Sequence, residues 1–179
     1  GVEDILRNAF NMELAKGNAT YSEGVYAVAM DPNTGSILAL AGVKHDLETG
    51  EISADALGTI TNVFVPGSVV KAATLTAGWQ YGAISGNQSL VDQPILFAGS
   101  APINAWFTAY GSRSITAVEA LEYSSNTYMI QVALNMLGTP YSPNMALGTN
   151  NVDASMKKLR STFAEYGLGT ETGIDLPTE

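Results

Sequence analysis

The chain has 179 residues, 46% of them hydrophobic, which suits one globular domain with a sizeable core. Its 8 basic residues face 17 acidic ones, and the resulting charge of −9 argues against a nucleic-acid surface. There is no cysteine, so disulfides, thiolate zinc sites and cysteine nucleophiles are excluded. The one histidine, His45, sits beside Lys44 and Asp46 in a polar stretch and reads as a loop residue, not as the base of a Ser-His-acid triad. No stretch approaches the roughly 20 apolar residues of a membrane span, and no signal peptide is seen. The expectation is a soluble protein or a piece cut from a longer chain.

Val2, Ile5, Leu6, Ala9 and Phe10 recur at helical spacing, and Gly17 ends that segment. Two apolar runs at 24–30 and 36–42 read as strands joined by Asp31-Pro32-Asn33-Thr34-Gly35, which is hairpin chemistry. Because both runs are apolar almost throughout, the hairpin is expected in a sheet covered on both faces. Only these two strands are convincing. The stretch 44–61 is polar, with a second turn at Glu48-Thr49-Gly50.

Pro66-Gly67 then breaks the chain and feeds a helix, rich in small and apolar residues, that stops near Gly82. Ser68 stands at its start and Lys71 lies one turn on, on the same face. A hydroxyl there faces the positive end of the helix dipole. An amine one turn away can take its proton if burial favours the neutral form, which would activate a serine without histidine. The bland alternative is a capping serine with a surface lysine, and the helix is too apolar for that. The same Ser-x-x-Lys pattern recurs at Ser155-Met156-Lys157-Lys158, beside Arg160, where a solvated helix face is the better reading.

The stretch 85–113 has little periodicity and carries Trp106, Phe107 and Tyr110; it reads as a long loop, either binding or anchored on the core by its aromatics. Thr116-Ala117-Val118-Glu119 matches a capping box and opens a short helix to about Tyr123. Ser124-Ser125-Asn126 interrupts, and helix resumes over 127–137 with Gly138 as its stop. After a loop at 140–151, Met156, Leu159, Phe163 and Tyr166 mark one more amphipathic helix, closed by Gly167. The last eight residues, 172–179, show no closing element. Two glycosylation sequons, at Asn18 and Asn87, read as chance.

In one known arrangement a serine nucleophile paired with lysine is accompanied by a Ser-x-Asn element and a Lys-Thr-Gly. Ser-x-Asn occurs three times here. Ser85-Gly86-Asn87 lies beyond the far end of the Ser68 helix, about 18 Å away at 1.5 Å per residue, too far for a proton relay. Ser142-Pro143-Asn144 has no helix to hold it. Ser124-Ser125-Asn126, at a break between helices, can project into a cleft, or can simply cap the helix that follows.

From about Tyr21 onward the chain resembles the transpeptidase domain of class B penicillin-binding proteins, with wording most similar to the 2b type of Gram-positive cocci. The resemblance rests on the opening hairpin from Gly24 to Gly35, on Val65-Pro66-Gly67-Ser68-Val69-Val70-Lys71 and on Ala120-Leu121-Glu122-Tyr123-Ser124-Ser125-Asn126-Thr127. It continues through Tyr166-Gly167-Leu168-Gly169 and Thr172-Gly173-Ile174-Asp175-Leu176-Pro177. The resemblance implies an α+β penicillin-binding-protein/β-lactamase-like fold, an antiparallel sheet flanked by helices, with residues 1–179 as the first part of one transpeptidase domain. It implies a membrane-anchored D,D-transpeptidase on the outer face of the bacterial cell membrane, its anchor outside these residues. Such an enzyme would cross-link peptidoglycan stem peptides ending in D-Ala-D-Ala, be acylated by β-lactams, work beside other cell-wall synthesis proteins, and need no cofactor or metal. By the same resemblance Ser68 is the nucleophile and Lys71 its base. Ser124 relays a proton to the leaving amine, Asn126 orients Lys71 and binds the substrate amide, and the Ser68 N–H is half of an oxyanion hole. No Lys-Thr-Gly occurs in the 179 residues, so the chain alone is expected to be inactive and to fold poorly. Two rivals use the same first motifs. A serine β-lactamase would need a deacylating base; Glu165 is the one acid in a plausible place, and its position near the end of an amphipathic helix gives it a surface role instead. A β-lactam sensor would acylate without cross-linking.

Overall fold

The computed structural model describes residues 1–173. They form two compact units, one over Gly1–Val65 and one from Pro66 onward.

In the first unit, helix α1 (Val2–Ala15) packs on strands β1 (Gly24–Met30) and β2 (Ile37–His45). Phe10 is its buried anchor and meets the His45 ring edge-on at 5.6 Å. The strands pair antiparallel from Gly24 opposite Lys44 to Ala29 opposite Ala39, and a bulge then sets Met30 opposite Ile37. Their turn forms as its residues dictate. The Asp31 carboxylate accepts the Asn33 N–H at 2.8 Å, and Gly35 takes the left-handed conformation.

Within the described residues the hairpin is covered at one end only: Val43 is fully buried, while Val28 is 54% and Leu38 70% exposed at the turn end. Two expectations change here. The polar stretch after β2 is not all loop. It supplies β3 (Ile52–Ala54), antiparallel to β2, and a short helix α2 (Gly58–Thr61). His45 is not a loop residue either. It closes β2, is buried, and has its Nδ1 2.9 Å from the Ser22 carbonyl.

In the second unit a 3-10 turn (Gly67–Val70) runs straight into helix α3 (Lys71–Gln80), whose Ala73, Leu75, Ala77 and Gly78 are buried. At Gly78, α3 lies close against α5 (Asn126–Asn135): a Cβ there would stand 2.6 Å from Val132 Cγ1. Leu75, Ile84, Phe107, Ile115, Tyr128 and Val132 form the core around that contact. The stretch expected as a long loop contains β4 (Leu90–Asp92), which pairs antiparallel with β5 (Arg113–Ile115). Strands of three residues are too short to display a two-residue period. Of its aromatics, Phe107 is buried as an anchor, while Trp106 stays largely exposed with its Nε1–H held by the Tyr123 carbonyl at 2.8 Å.

Helix α4 (Ala117–Glu122) begins with the expected capping box: the Glu119 N–H reaches Thr116 Oγ1 at 3.3 Å and the Thr116 N–H reaches Glu119 Oε2 at 2.7 Å. Asn87, from the first Ser-x-Asn, accepts the Val118 N–H at 3.0 Å and so serves the same helix end. The last described helix is α6 (Thr149–Glu165). The segment from Ile174 onward lies outside the described residues. The arrangement of helices and antiparallel strands is the α+β fold expected from the sequence.

Candidate active site

The Ser68 turn begins at Gly67, whose φ of +59° only glycine adopts readily. It leaves Ser68 exposed at the head of the helix. Lys71, one turn on, is only 8% exposed. Its Nζ lies 3.0 Å from Ser68 Oγ, 2.9 Å from Ser124 Oγ and 2.6 Å from the Ser124 carbonyl oxygen. No carboxylate pairs with it among the described residues. Burial therefore pushes its pKa below the ordinary lysine range, since no opposite charge offsets the lost hydration. A protonated amine can donate to all three oxygens. A neutral amine can donate to two and accept the Ser68 proton with its lone pair.

The position of Ser124 follows from how α4 ends. The Ser125 N–H bonds back to Ala120 O at 2.8 Å and the Ser124 N–H to Leu121 O at 3.0 Å. Those two bonds define a Schellman end, in which the residue at Ser124's position takes the left-handed conformation and is usually glycine. Ser124 does so as a serine, with φ +53°. Left-handed backbone costs a residue with a Cβ about 1 kcal/mol or more. In return, both the carbonyl and the hydroxyl of one residue face Lys71. Such strain at a side chain that meets a buried amine is the pattern of a functional position.

The capping reading of Ser124-Ser125-Asn126 falls on one residue and the contact with Lys71 on another. Ser125 is the cap: its Oγ accepts the Tyr128 N–H at 3.0 Å and starts α5. Ser124 meets Lys71. Asn126 opens α5 with an exposed side chain, and the three hydrogen bonds of Lys71 do not include it. Sequence reasoning also passed over a fourth group beneath the turn. Asp92, the last residue of β4, is completely buried, and its two carboxylate oxygens accept the hydroxyls of Ser125 and Thr127. A lone Asp between Val91 and Gln93 carries no signal that could have marked it.

The second Ser-x-x-Lys is not a plain solvated face. Ser155 is buried, and its hydroxyl donates to the Ala133 carbonyl at 3.0 Å. The Lys158 amine donates to the Met136 carbonyl at 2.5 Å and lies 5.2 Å from the centre of the Tyr81 ring. Together they satisfy carbonyls that the end of α5 leaves without a helical partner. Glu165, considered as a deacylating base, is exposed and accepts from Gln80 Nε2 at 2.9 Å.

A family model described as the penicillin-binding protein transpeptidase domain matches residues 25–179. The chain belongs to that family, the D,D-transpeptidase domain of penicillin-binding proteins. It is 65% identical over 179 residues to penicillin-binding protein 2B of Streptococcus pneumoniae serotype 2, a match covering 99% of this chain and 26% of that protein. A solved structure of penicillin-binding protein 2B from S. pneumoniae strain R6 superposes with a TM-score of 0.92 at 65% identity, over 99% of this chain and 29% of that one. Further away, the peptidoglycan D,D-transpeptidase FtsI of Escherichia coli is 31% identical over 162 residues, 88% of this chain and 24% of that protein. The chain thus spans about a quarter of the length of the curated relatives it matches. The transpeptidase family expected from the sequence is therefore the family found, including its 2b-like character.

Proposed function

We propose that this chain carries the nucleophile side of a serine D,D-transpeptidase site, and that the full-length protein cross-links peptidoglycan stem peptides and is acylated by β-lactams. The observation that carries the reading is the Lys71 amine, buried with no counter-ion among the described residues and within hydrogen-bond reach of two hydroxyls at once. Neutral Lys71 accepts the Ser68 Oγ proton as that oxygen attacks the carbonyl of the penultimate D-alanine. Ser68 stands in the first turn of its helix, where backbone N–H groups have no helical acceptor, so its own N–H suits the developing oxyanion. The proton then passes from Lys71 through Ser124 Oγ to the nitrogen of the leaving D-alanine. The acyl group remains on Ser68, and an amine of a second stem peptide displaces it. With β-lactams the opened ring keeps the leaving nitrogen attached. Asn126, exposed at the start of α5, is assigned to the substrate amide and not to Lys71.

The β-lactamase reading gains nothing from Glu165, whose exposed carboxylate is bound to Gln80. The remaining assignments follow the family: the outer face of the cell membrane, an anchor outside these residues, and neighbouring cell-wall synthesis proteins. No helix among the described residues is long and apolar enough to cross a membrane. The test is to label the full-length protein with a penicillin and map the adduct by mass spectrometry of a tryptic digest. The expected adduct is on Ser68 alone and is lost in Ser68→Ala. An adduct on Ser124, or labelling that survives Ser68→Ala, would end the proposal.

A further inference from the structure

Asp92 is a carboxylate buried to zero exposure with no cation beside it among the described residues. Its ladder neighbour Arg113 does not supply one, because that guanidinium lies over the rings of Phe107 and Tyr123, at 4.3 and 4.4 Å. Burying an acid this way is costly unless both oxygens are bound. Here they are bound, and by two residues of one short turn: Ser125 and Thr127 donate to separate oxygens. The residue before that pair is Ser124, held in a strained left-handed conformation with its carbonyl and hydroxyl on Lys71. The Schellman bonds to Ala120 and Leu121 fix the turn on the α4 side, and Asp92 fixes it on the α5 side. Gln131 adds a second tie from α5 to the same strand through the Val91 carbonyl, at 3.1 Å.

Resting on the transpeptidase reading above, we infer that Asp92 is a positioning residue of the active site, which sets where Ser124 stands against Lys71 by clamping the hydroxyls of Ser125 and Thr127. It touches neither substrate nor the reacting atoms. Its effect is to keep the Ser124 hydroxyl on the proton path between Lys71 and the leaving nitrogen. A network satisfied at every member holds one arrangement, whereas a partly satisfied one lets the turn relax. Relaxation of the strained turn moves the relay, and a displacement of about 1 Å in such a site costs on the order of a hundredfold in rate.

The experiment uses the full-length protein and a fluorescent penicillin. It measures two quantities separately, the second-order rate of labelling and the final labelled fraction. Asp92→Asn keeps size and one acceptor oxygen. It is expected to lower the rate tenfold or more while the labelled fraction stays at the wild-type level. A role in stability alone would lower the labelled fraction and leave the rate of the folded molecules unchanged, and that result overturns the inference, as does a rate within twofold of wild type. Should Asp92→Asn yield too little folded protein to measure, Thr127 decides. Thr127→Ser keeps the hydroxyl donor and should label at the wild-type rate. Thr127→Val keeps the shape, loses the donor, and should be slowed like Asp92→Asn. Equal rates for the two would refute the clamp. Ser68→Ala, run alongside, separates the two levels of the argument. Labelling that survives in it defeats the reading of the site itself, whereas silence in it with an undiminished Asp92→Asn defeats only the clamp.

Discussion

Ser68-x-x-Lys71 and Ser155-x-x-Lys158 have the same wording, the same three-residue spacing, and lie in the same compact unit. In both, the lysine amine donates to a carbonyl at the end of a neighbouring helix: Ser124 O after α4 for Lys71, and Met136 O after α5 for Lys158. The difference lies in the serine and in what else the amine meets. Ser155 is in mid-helix, with its hydroxyl given to the Ala133 carbonyl. Ser68 is in the first turn, exposed, with its oxygen 3.0 Å from the amine. Lys158 lies by an aromatic face, which suits a cation, whereas Lys71 faces two hydroxyls in a buried site that does not. A helix end can thus recruit a lysine as a clamp or, where a strained serine adds its hydroxyl, hold it where our proposal needs a base. Position in the helix decides which, not the motif.

The largest way to break this contrast is to keep both charges and change only the chemistry. Arginine stays protonated at any working pH and cannot accept a proton. Lys71→Arg should therefore fail as badly as Lys71→Ala, losing about 10²–10⁴ in labelling rate, while Lys158→Arg keeps the wild-type rate. A Lys71→Arg protein within about tenfold of wild type, ~1.4 kcal/mol of barrier, would mean that the amine is not the base. The pH profile carries the same contrast with its sign fixed. Only neutral Lys71 accepts the proton, so labelling should rise with pH. Because burial lowers the Lys71 pKa, the midpoint should fall below the ordinary lysine value of about 10.4. A rate that falls with rising pH, or a midpoint at or above the ordinary lysine value, would contradict it.

A second test asks whether this geometry suffices by itself. The 179-residue chain already brings Ser68, Lys71 and Ser124 together. It has no Lys-Thr-Gly, the motif expected from the resemblance to complete the oxyanion hole. Loss of one oxyanion donor typically costs about 10²–10³ in rate. The turn end of the hairpin also leaves Val28, Met30, Ile37 and Leu38 exposed, and bare apolar strand surface favours aggregation. The chain expressed alone is expected to melt without cooperativity and to label at least a hundredfold more slowly than the full-length protein. A cooperative melt with full-rate labelling would show that everything the reaction needs lies within these residues.

Much of this was legible in the sequence, because local chemistry specified it. The Asp31–Gly35 turn, the Thr116–Glu119 capping box and the one-turn offset of Ser68 and Lys71 each depend on residues within four positions of one another. What was not legible depends on partners far along the chain. Asp92 gains meaning only from Ser125 and Thr127, more than thirty residues away. The strain of Ser124 appears only once α4 ends in a Schellman turn, where a reader expects glycine. Ser155 and Lys158 read as a wet face because charge predicts exposure, yet a neighbouring helix's orphan carbonyls are as good a partner as water.

The smallest expected effect tests that last point. Lys158→Met keeps the aliphatic stem and removes one cation from the end of α5. It forfeits the hydrogen bond to Met136 O, the favourable interaction with the negative end of the helix dipole, and the contact with Tyr81. Each is worth a few tenths to about 1 kcal/mol at a half-exposed position, and a solvated helix face would be worth nothing. The expected sum, near 1 kcal/mol, should lower the temperature at which half the penicillin labelling is lost by about 2 °C in a domain of more than 150 residues. The labelling rate at 25 °C should not change by more than twofold, because nothing that touches Ser68 or Lys71 has moved. No shift in that temperature would return Lys158 to the solvated face first expected of it. A slowed reaction at unchanged temperature would tie α6 to the chemistry and dissolve the distinction between clamp and base.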